Sequence, residues 1–330
     1  MSYIELNKSA FFHNLDIIAQ KTADKDKIAL VLKDNAYGHG LLEVASMAKE
    51  YGLKRAVVRS ESEAKLIQEY FEYILILAPS FPLSPSSSFV YTINSLDSIS
   101  KFTKNTRVEL KVDTGMHRNG ISIDEFDKAI NLIQEKELNL EAVFTHYRSA
   151  DTMSAEWFWQ KKNFEALKEK SSDFRSHSCN SAALFRSEFF DEDMVRVGIA
   201  AYGCLQMDRG FEETGLKPVL SLVAEKISSR LLKKGERVGY NATYEALEDT
   251  EVTNYDIGYA DGLSRLLSNS YLTPDGDELL GRVSMDNSSF KSSKEKLLVF
   301  DDANEIAACC ETIGYEVLTS LSPSIERRIS

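Results

Sequence analysis

The stretch IALVLKDNAYGHGLLEVASMAKEYGLKRAVV, residues 28–58, holds one full unit of the pattern that decides the fold. It opens on an apolar run of strand length, 28–32, with Lys33 directly behind it. The chain then turns through Gly38 and Gly40 into an amphipathic stretch starting near Leu41, which Gly52 is placed to close, and a second apolar run follows at 54–58. Strand, turn, helix and strand in that order build a parallel sheet. The unit recurs downstream with apolar runs at 73–78, 89–93, 107–112, 141–145, 174–177 and 194–197, eight in all. Ser60 with Glu63, and Ser122 with Glu125, have the capping-box spacing of helix starts. The same pattern allows an open doubly wound sheet, but eight units within about 200 residues suit a (β/α)8 TIM-type barrel better.

Beyond residue 215 the texture changes. Runs at 219–226, 237–240, 251–257, 279–285 and 296–300 read as strands divided by turns rich in Gly, Asn and Asp, with no long helical period. The expectation is a barrel over 1–215 and a mostly antiparallel C-terminal β domain over 216–330, with the run at 3–6 free to join either.

Composition narrows the function. The 330 residues are 43% hydrophobic and 27% charged with 6 Pro, ordinary for a folded globular chain of about two domains. With 39 Lys and Arg against 51 Asp and Glu, the net charge of −12 repels phosphate backbones and anionic lipid, so neither nucleic acid nor a membrane is an expected partner. Cys179, Cys204, Cys309 and Cys310 have neither metal-clamp nor disulfide-framework spacing, so no metal is expected. The opening MSYIELNKSAFFHNL lacks the layout of a secretory leader, and a reducing cytoplasm fits the chain best.

Barrel active sites lie at the C-terminal ends of the strands, where Lys33 would stand. Strand alternation turns Lys111 and Asp113 to one side, inward if that strand lines the barrel, and His146 ends the sixth strand at the same rim. The loops behind the seventh and eighth strands carry Ser181 and, after Arg196, Gly198 and Ile199, in the region where this fold commonly docks phosphate. An aldehyde-reactive lysine beside a phosphate cradle describes a pyridoxal phosphate site.

Eight segments, KDNAYGHG (33–40), KVDTGMHRNG (111–120), THYRSAD (145–151), HSCNSAA (177–183), VRVGIAAYG (195–203), GYNATY (239–244), IGYADGLSR (257–265) and GRVSMDN (281–287), together resemble the alanine racemases. That resemblance implies a pyridoxal 5'-phosphate enzyme interconverting L- and D-alanine for peptidoglycan, acting as a homodimer in the cytoplasm. It makes Lys33 the residue that holds the cofactor and carries one proton. Tyr259 matches the proton carrier on the opposite substrate face, reaching from one subunit into its partner's site, with His146 touching it and Arg196 behind. Arg196 also matches the arginine that donates to the cofactor's ring nitrogen, while Tyr37, Ser181, Gly198 and Ile199 match phosphate contacts. Arg118, Met285 and Asp286 match substrate-carboxylate positions, Lys111 a lysine often carbamylated, and Arg282 and Asp151 an entrance pair. A broader or serine racemase, a non-enzymatic pyridoxal phosphate carrier and a barrel-type decarboxylase are the competing readings. Tyr259 and the β domain argue against the carrier, and no decarboxylase motif is found in the C-terminal half.

The match has departures. Asp34 and Arg148 place charges where the family has small residues, and Ser284 stands for a usual cysteine. In the tail, Pro323 falls where a phosphate-binding tyrosine is expected.

Overall fold

The computed structural model describes residues 1–330. Strand β1 (Tyr3–Leu6) and helix α1 (Lys8–Thr22) lead into eight parallel strands: β2 (Ile28–Val31), β3 (Arg55–Val58), β4 (Tyr73–Ile76), β5 (Phe89–Ile93), β6 (Arg107–Asp113), β7 (Asn139–Phe144), β8 (Arg175–His177) and β9 (Val195–Val197). From β2 to β8 each pairs with the next in chain order, and β9 returns to β2 with Val195 opposite Ile28. Between β8 and β9 the ring closes by a bridge from Asn180 to Arg196 just beyond the strand ends. The architecture is the (β/α)8 barrel expected, and all eight apolar runs are its strands. Their side chains are buried almost throughout, as a sheet covered on both faces requires.

Around the barrel lie α2 (Leu41–Tyr51), α3 (Glu61–Ile67), α4 (Leu96–Ile99), α5 (Phe126–Glu135), α6 (Glu156–Lys170) and α7 (Ser181–Arg186). Gly52 ends α2 at φ 95°, a left-handed cap that Cβ-bearing residues disfavour. The Ser60–Glu63 capping box is formed at the start of α3. Between β4 and β5 there is no helix, because residues 77–88 are rich in Pro and Ser.

The second sheet is built from β10 (Leu220–Leu232), β11 (Thr250–Tyr255), β12 (Glu278–Leu280), β13 (Ser288–Lys291), β14 (Lys296–Phe300) and β15 (Glu326–Ile329). Strand β1 joins this sheet, antiparallel to β10 and parallel to β15, so the two ends of the chain are tied into one layer. The expected strand at 279–285 stops at Leu280 because Gly281 turns at φ 75°, leaving Met285 in a loop. Two short helices also interrupt the β texture, α8 (Ala303–Cys309) and α9 (Gly314–Ser320). One contiguous apolar core runs from Ile4 and Leu6 through the barrel to Leu318 on α9, so both domains share packing.

Candidate active site at the barrel mouth

Lys33 stands behind β2 at the head of a run of four non-glycine residues in the left-handed region: Asp34, Asn35, Ala36 and Tyr37, with φ from 51° to 57°. Such a conformation costs roughly 1–2 kcal/mol per residue, so contacts elsewhere must hold it. Glu63 accepts the Asp34 N–H at 2.7 Å through one carboxylate oxygen, while the other serves the cap of α3. Asn35 Oδ1 accepts the Leu41 N–H at 2.9 Å, and Arg327 of β15 donates to the Gly38 carbonyl at 2.9 Å. The β domain thus clamps the turn that carries Lys33. The Asp34 carboxylate pairs with Arg59, just behind β3 of the barrel, at 3.2 Å. Arg148 likewise ties its loop to the Gly115 carbonyl at 2.9 Å and to Glu156.

Lys33, Arg118 and Arg196 bear on Lys111 at this rim, and all four cations bear on His146. Lys111 is buried and has neither ion pair nor hydrogen-bond acceptor. Burial, then Arg118 and Arg196, bring its ammonium from the ordinary lysine range down to about 8, with Asp113 opposing. Asp113 spends one oxygen on the Gly115 and His117 N–H groups, at 2.8 and 3.0 Å. For His146, burial first, then Arg196, Lys111, Arg118 and Lys33, lower the ring to about 3, so it is a neutral imidazole at working pH. Positive charge at this rim therefore comes from the lysines and arginines, with the His146 ring uncharged.

Arg196 is buried and held on three sides. Its Nη2 donates to the Thr145 and Ser178 carbonyls at 2.7 and 3.1 Å, and its Nη1 to the His177 ring at Nδ1. Glu192 fixes the Ser178 peptide from behind by accepting the Ser178 and Cys179 N–H groups at 2.6 and 3.0 Å. Both terminal nitrogens are engaged, while Arg196 Nε has no acceptor in the chain.

Tyr37, Ser181, Gly198 and Ile199 converge as a cradle. Ser181 Oγ accepts from the Gly198 and Ala200 N–H groups at 3.2 and 3.3 Å. A Cβ on Gly198 would lie 2.8 Å from the Tyr37 ring and hydroxyl, so only glycine lets the ring approach. The Ile199 N–H is buried and finds no acceptor in the chain, a donor left for a ligand. Helix α9 adds Tyr315, whose ring centroid lies 5.7 Å from that of Tyr37. The tail reading did not include this tyrosine; Pro323, which it did single out, lies exposed in the turn before β15.

The remaining residues sit on the β domain. Tyr259 opens a short turn whose N–H groups bond back to the Ser284 and Met285 carbonyls, so Tyr259 and Met285 share one rim. Tyr259 is 43% exposed and Met285 58% exposed, with Asp286 also at the surface. None of the three makes a hydrogen bond to Lys33, Arg118, His146 or Arg196 within the chain, and Arg282 makes no ion pair with the exposed Asp151. One group went unnoticed in the sequence. Glu109 is wholly buried inside the barrel and accepts from His177 Nε2 at 2.8 Å.

A (β/α)8 barrel with a lysine on a clamped turn behind its first strand, a cationic rim, and a glycine-serine cradle behind its last two strands, joined to a β domain, defines a class of two-domain barrel enzymes. Residues 6–206 match the family model for the alanine racemase N-terminal domain, and residues 219–329 that for its C-terminal domain. The chain is 44% identical to the alanine racemase of Campylobacter concisus and 41% identical to that of Campylobacter jejuni, over 99% of this chain and of each relative. Among solved structures it resembles the Clostridium difficile alanine racemase, at a TM-score of 0.91 and 26% identity, covering 100% of this chain and 95% of that one. It also resembles the Bacillus anthracis alanine racemase with bound L-Ala-P, at 0.88 and 27%, covering 100% and 95%. The chain belongs to the alanine racemase family.

Proposed function

We propose that this enzyme interconverts L- and D-alanine by two proton carriers on opposite faces of a substrate held on pyridoxal phosphate, and supplies D-alanine for peptidoglycan in the cytoplasm. The observation that carries the reading is the barrel mouth itself. A lysine, an arginine with one donor free, and a cradle with a buried unpaired N–H all serve a dianionic, ring-bearing aldehyde and an amino acid carboxylate. When bound, the cofactor supplies an electron sink for the carbanion at the substrate's α-carbon.

The chain's own residues do the rest. Lys33 holds the cofactor, and its uncharged amine takes or returns the α-proton on one face. Tyr259 does so on the other, hydrogen-bonded to the neutral His146. Arg196 offers Nε to the ring nitrogen and, being permanently protonated, gives it no proton, which restrains side reactions. Arg118, the Met285 backbone N–H and Asp286 surround the substrate carboxylate. Tyr37, Tyr315, Ser181 and the Gly198 and Ile199 N–H groups hold the phosphate. Since Tyr259 and Met285 are exposed and unattached to their own barrel mouth, each site takes them from the partner of a homodimer, with Arg282 and Asp151 meeting at its entrance.

Purified protein with pyridoxal phosphate and L-alanine should generate D-alanine. Faster turnover of serine overturns the assignment to alanine, and no racemisation of either overturns the proposal. Gly198→Ala should raise the cofactor's dissociation constant by about 5- to 150-fold, the range of a 1–3 kcal/mol overpacking cost, measured by titrating cofactor-free protein.

Lys111 is proposed to be carbamylated. A neutral amine adds to carbon dioxide and releases one proton to solvent, and the resulting carbamate anion would orient Arg118 where an ammonium repels it. Because the amine loses its proton near pH 8, the modified fraction should rise as pH rises through that value. A ¹³C carbamate resonance from labelled bicarbonate, absent in Lys111→Ala, is the expected signal. An unmodified ammonium within hydrogen-bonding distance of Arg118 in an experimental map contradicts it.

A further inference from the structure

Inside the barrel, beneath Arg196, lies a column of polar groups that the proposed mechanism does not use. His177 of β8 is wholly buried, stacked on Phe144 with centroids 4.8 Å apart, and bonded at both ring nitrogens. Nδ1 faces Arg196 Nη1, and Nε2 lies 2.8 Å from Glu109 Oε2. A guanidinium can only donate, so Nδ1 must present its lone pair and the ring proton must sit on Nε2, pointing at Glu109. The carboxylate accepts it, and accepts the Tyr73 hydroxyl at its other oxygen, with Arg175 Nη2 3.5 Å away. Burial by itself raises the Glu109 carboxyl, but His177, Tyr73 and Arg175 outweigh it and hold the group below the ordinary carboxylate range. Burial lowers His177 and keeps the ring neutral, with Glu109 opposing.

We propose that Glu109 is a positioning residue: by fixing His177 as the Nε2–H tautomer it turns Nδ1 into the acceptor that locks Arg196, leaving Arg196 Nε aimed at the cofactor's ring nitrogen. The last clause rests on the function proposed above; the tautomer does not. With the other tautomer, Nδ1–H and the guanidinium would set two donors against each other in a site closed to water. Arg196 would then turn, and its engaged nitrogens would release the Thr145 and Ser178 carbonyls.

The test uses the whole chain, ¹⁵N-labelled, first without cofactor and then loaded with pyridoxal phosphate. Long-range ¹H–¹⁵N correlations report the protonation of each histidine nitrogen, and His177 is assigned by the signals missing in His177→Asn. The expected result is a neutral His177 protonated at Nε2 in both states. Glu109→Gln keeps an acceptor oxygen and should keep this tautomer, with near-normal turnover. Glu109→Leu removes the acceptor: the ring should populate both tautomers, and kcat should fall about 10- to 100-fold, the range for groups that orient a functional histidine from behind, with KM for alanine little changed. A His177 protonated at Nδ1 or at both nitrogens in the unsubstituted protein overturns the proposal, and this arm stands even if Glu109→Leu does not fold. So does a Glu109→Leu variant with tautomer and kcat unaltered. Should the protein fail to bind the cofactor, the proposed function falls, yet the tautomer in cofactor-free protein still decides the role of Glu109.

Discussion

Tyr259→Phe should reduce alanine racemisation by about 10²- to 10⁴-fold, the usual loss when a positioned acid–base group is removed, while cofactor binding and absorbance stay intact. The ring remains and only the hydroxyl goes, so the exposed turn that carries it, held by backbone bonds to the Ser284 and Met285 carbonyls, is undisturbed. The residual chemistry is diagnostic. With Lys33 still in place, one enantiomer of alanine should continue to exchange its α-hydrogen with heavy water, and the other should not. Unchanged turnover in this variant, or equal exchange from both enantiomers, removes the two-carrier assignment.

Lys33→Ala should be more damaging, lowering racemisation below about one part in 10⁴, because in the proposed mechanism one side chain both holds the cofactor and carries a proton. Borohydride reduction of the loaded enzyme followed by peptide mapping should label Lys33 in the unsubstituted protein and no residue in the variant. A label on another lysine forces a different site. The fold should survive, since the strained turn is held from outside by Glu63 and Arg327 and by Asn35, none of which depends on the lysine side chain.

The barrel was legible because each of its strands is buried on both faces and so reads as an apolar run, from 28–32 onward. Where a strand is polar the signal fails: β13 has the sequence SSFK and shows no such run. The helices α8 and α9 have seven residues each, too few for a helical period to stand out. At the site, Lys33, Arg196, Ser181 and Gly198 were readable from their places at strand ends. Glu109 was within reach, since the alternation that turns Lys111 inward turns Glu109 the same way two residues earlier. Tyr315 was not, because its place beside Tyr37 depends on α9 packing across the domain junction. Nor do local preferences account for the left-handed turn behind Lys33; Asp and Asn tolerate that region, but Ala36 and Tyr37 are held there by distant groups.

In the proposed dimer each site draws Lys33 and Tyr259 from different chains, and mixing two inactive variants tests this directly. Lys33→Ala and Tyr259→Phe chains, unfolded together and refolded as a mixture, would form hybrid dimers in which one site has both groups and the other has neither. Random pairing should restore about a quarter of the unsubstituted activity per chain, since half the dimers are hybrids with one working site. A mixture no more active than its two components would mean that both carriers come from the same chain, and would contradict the account.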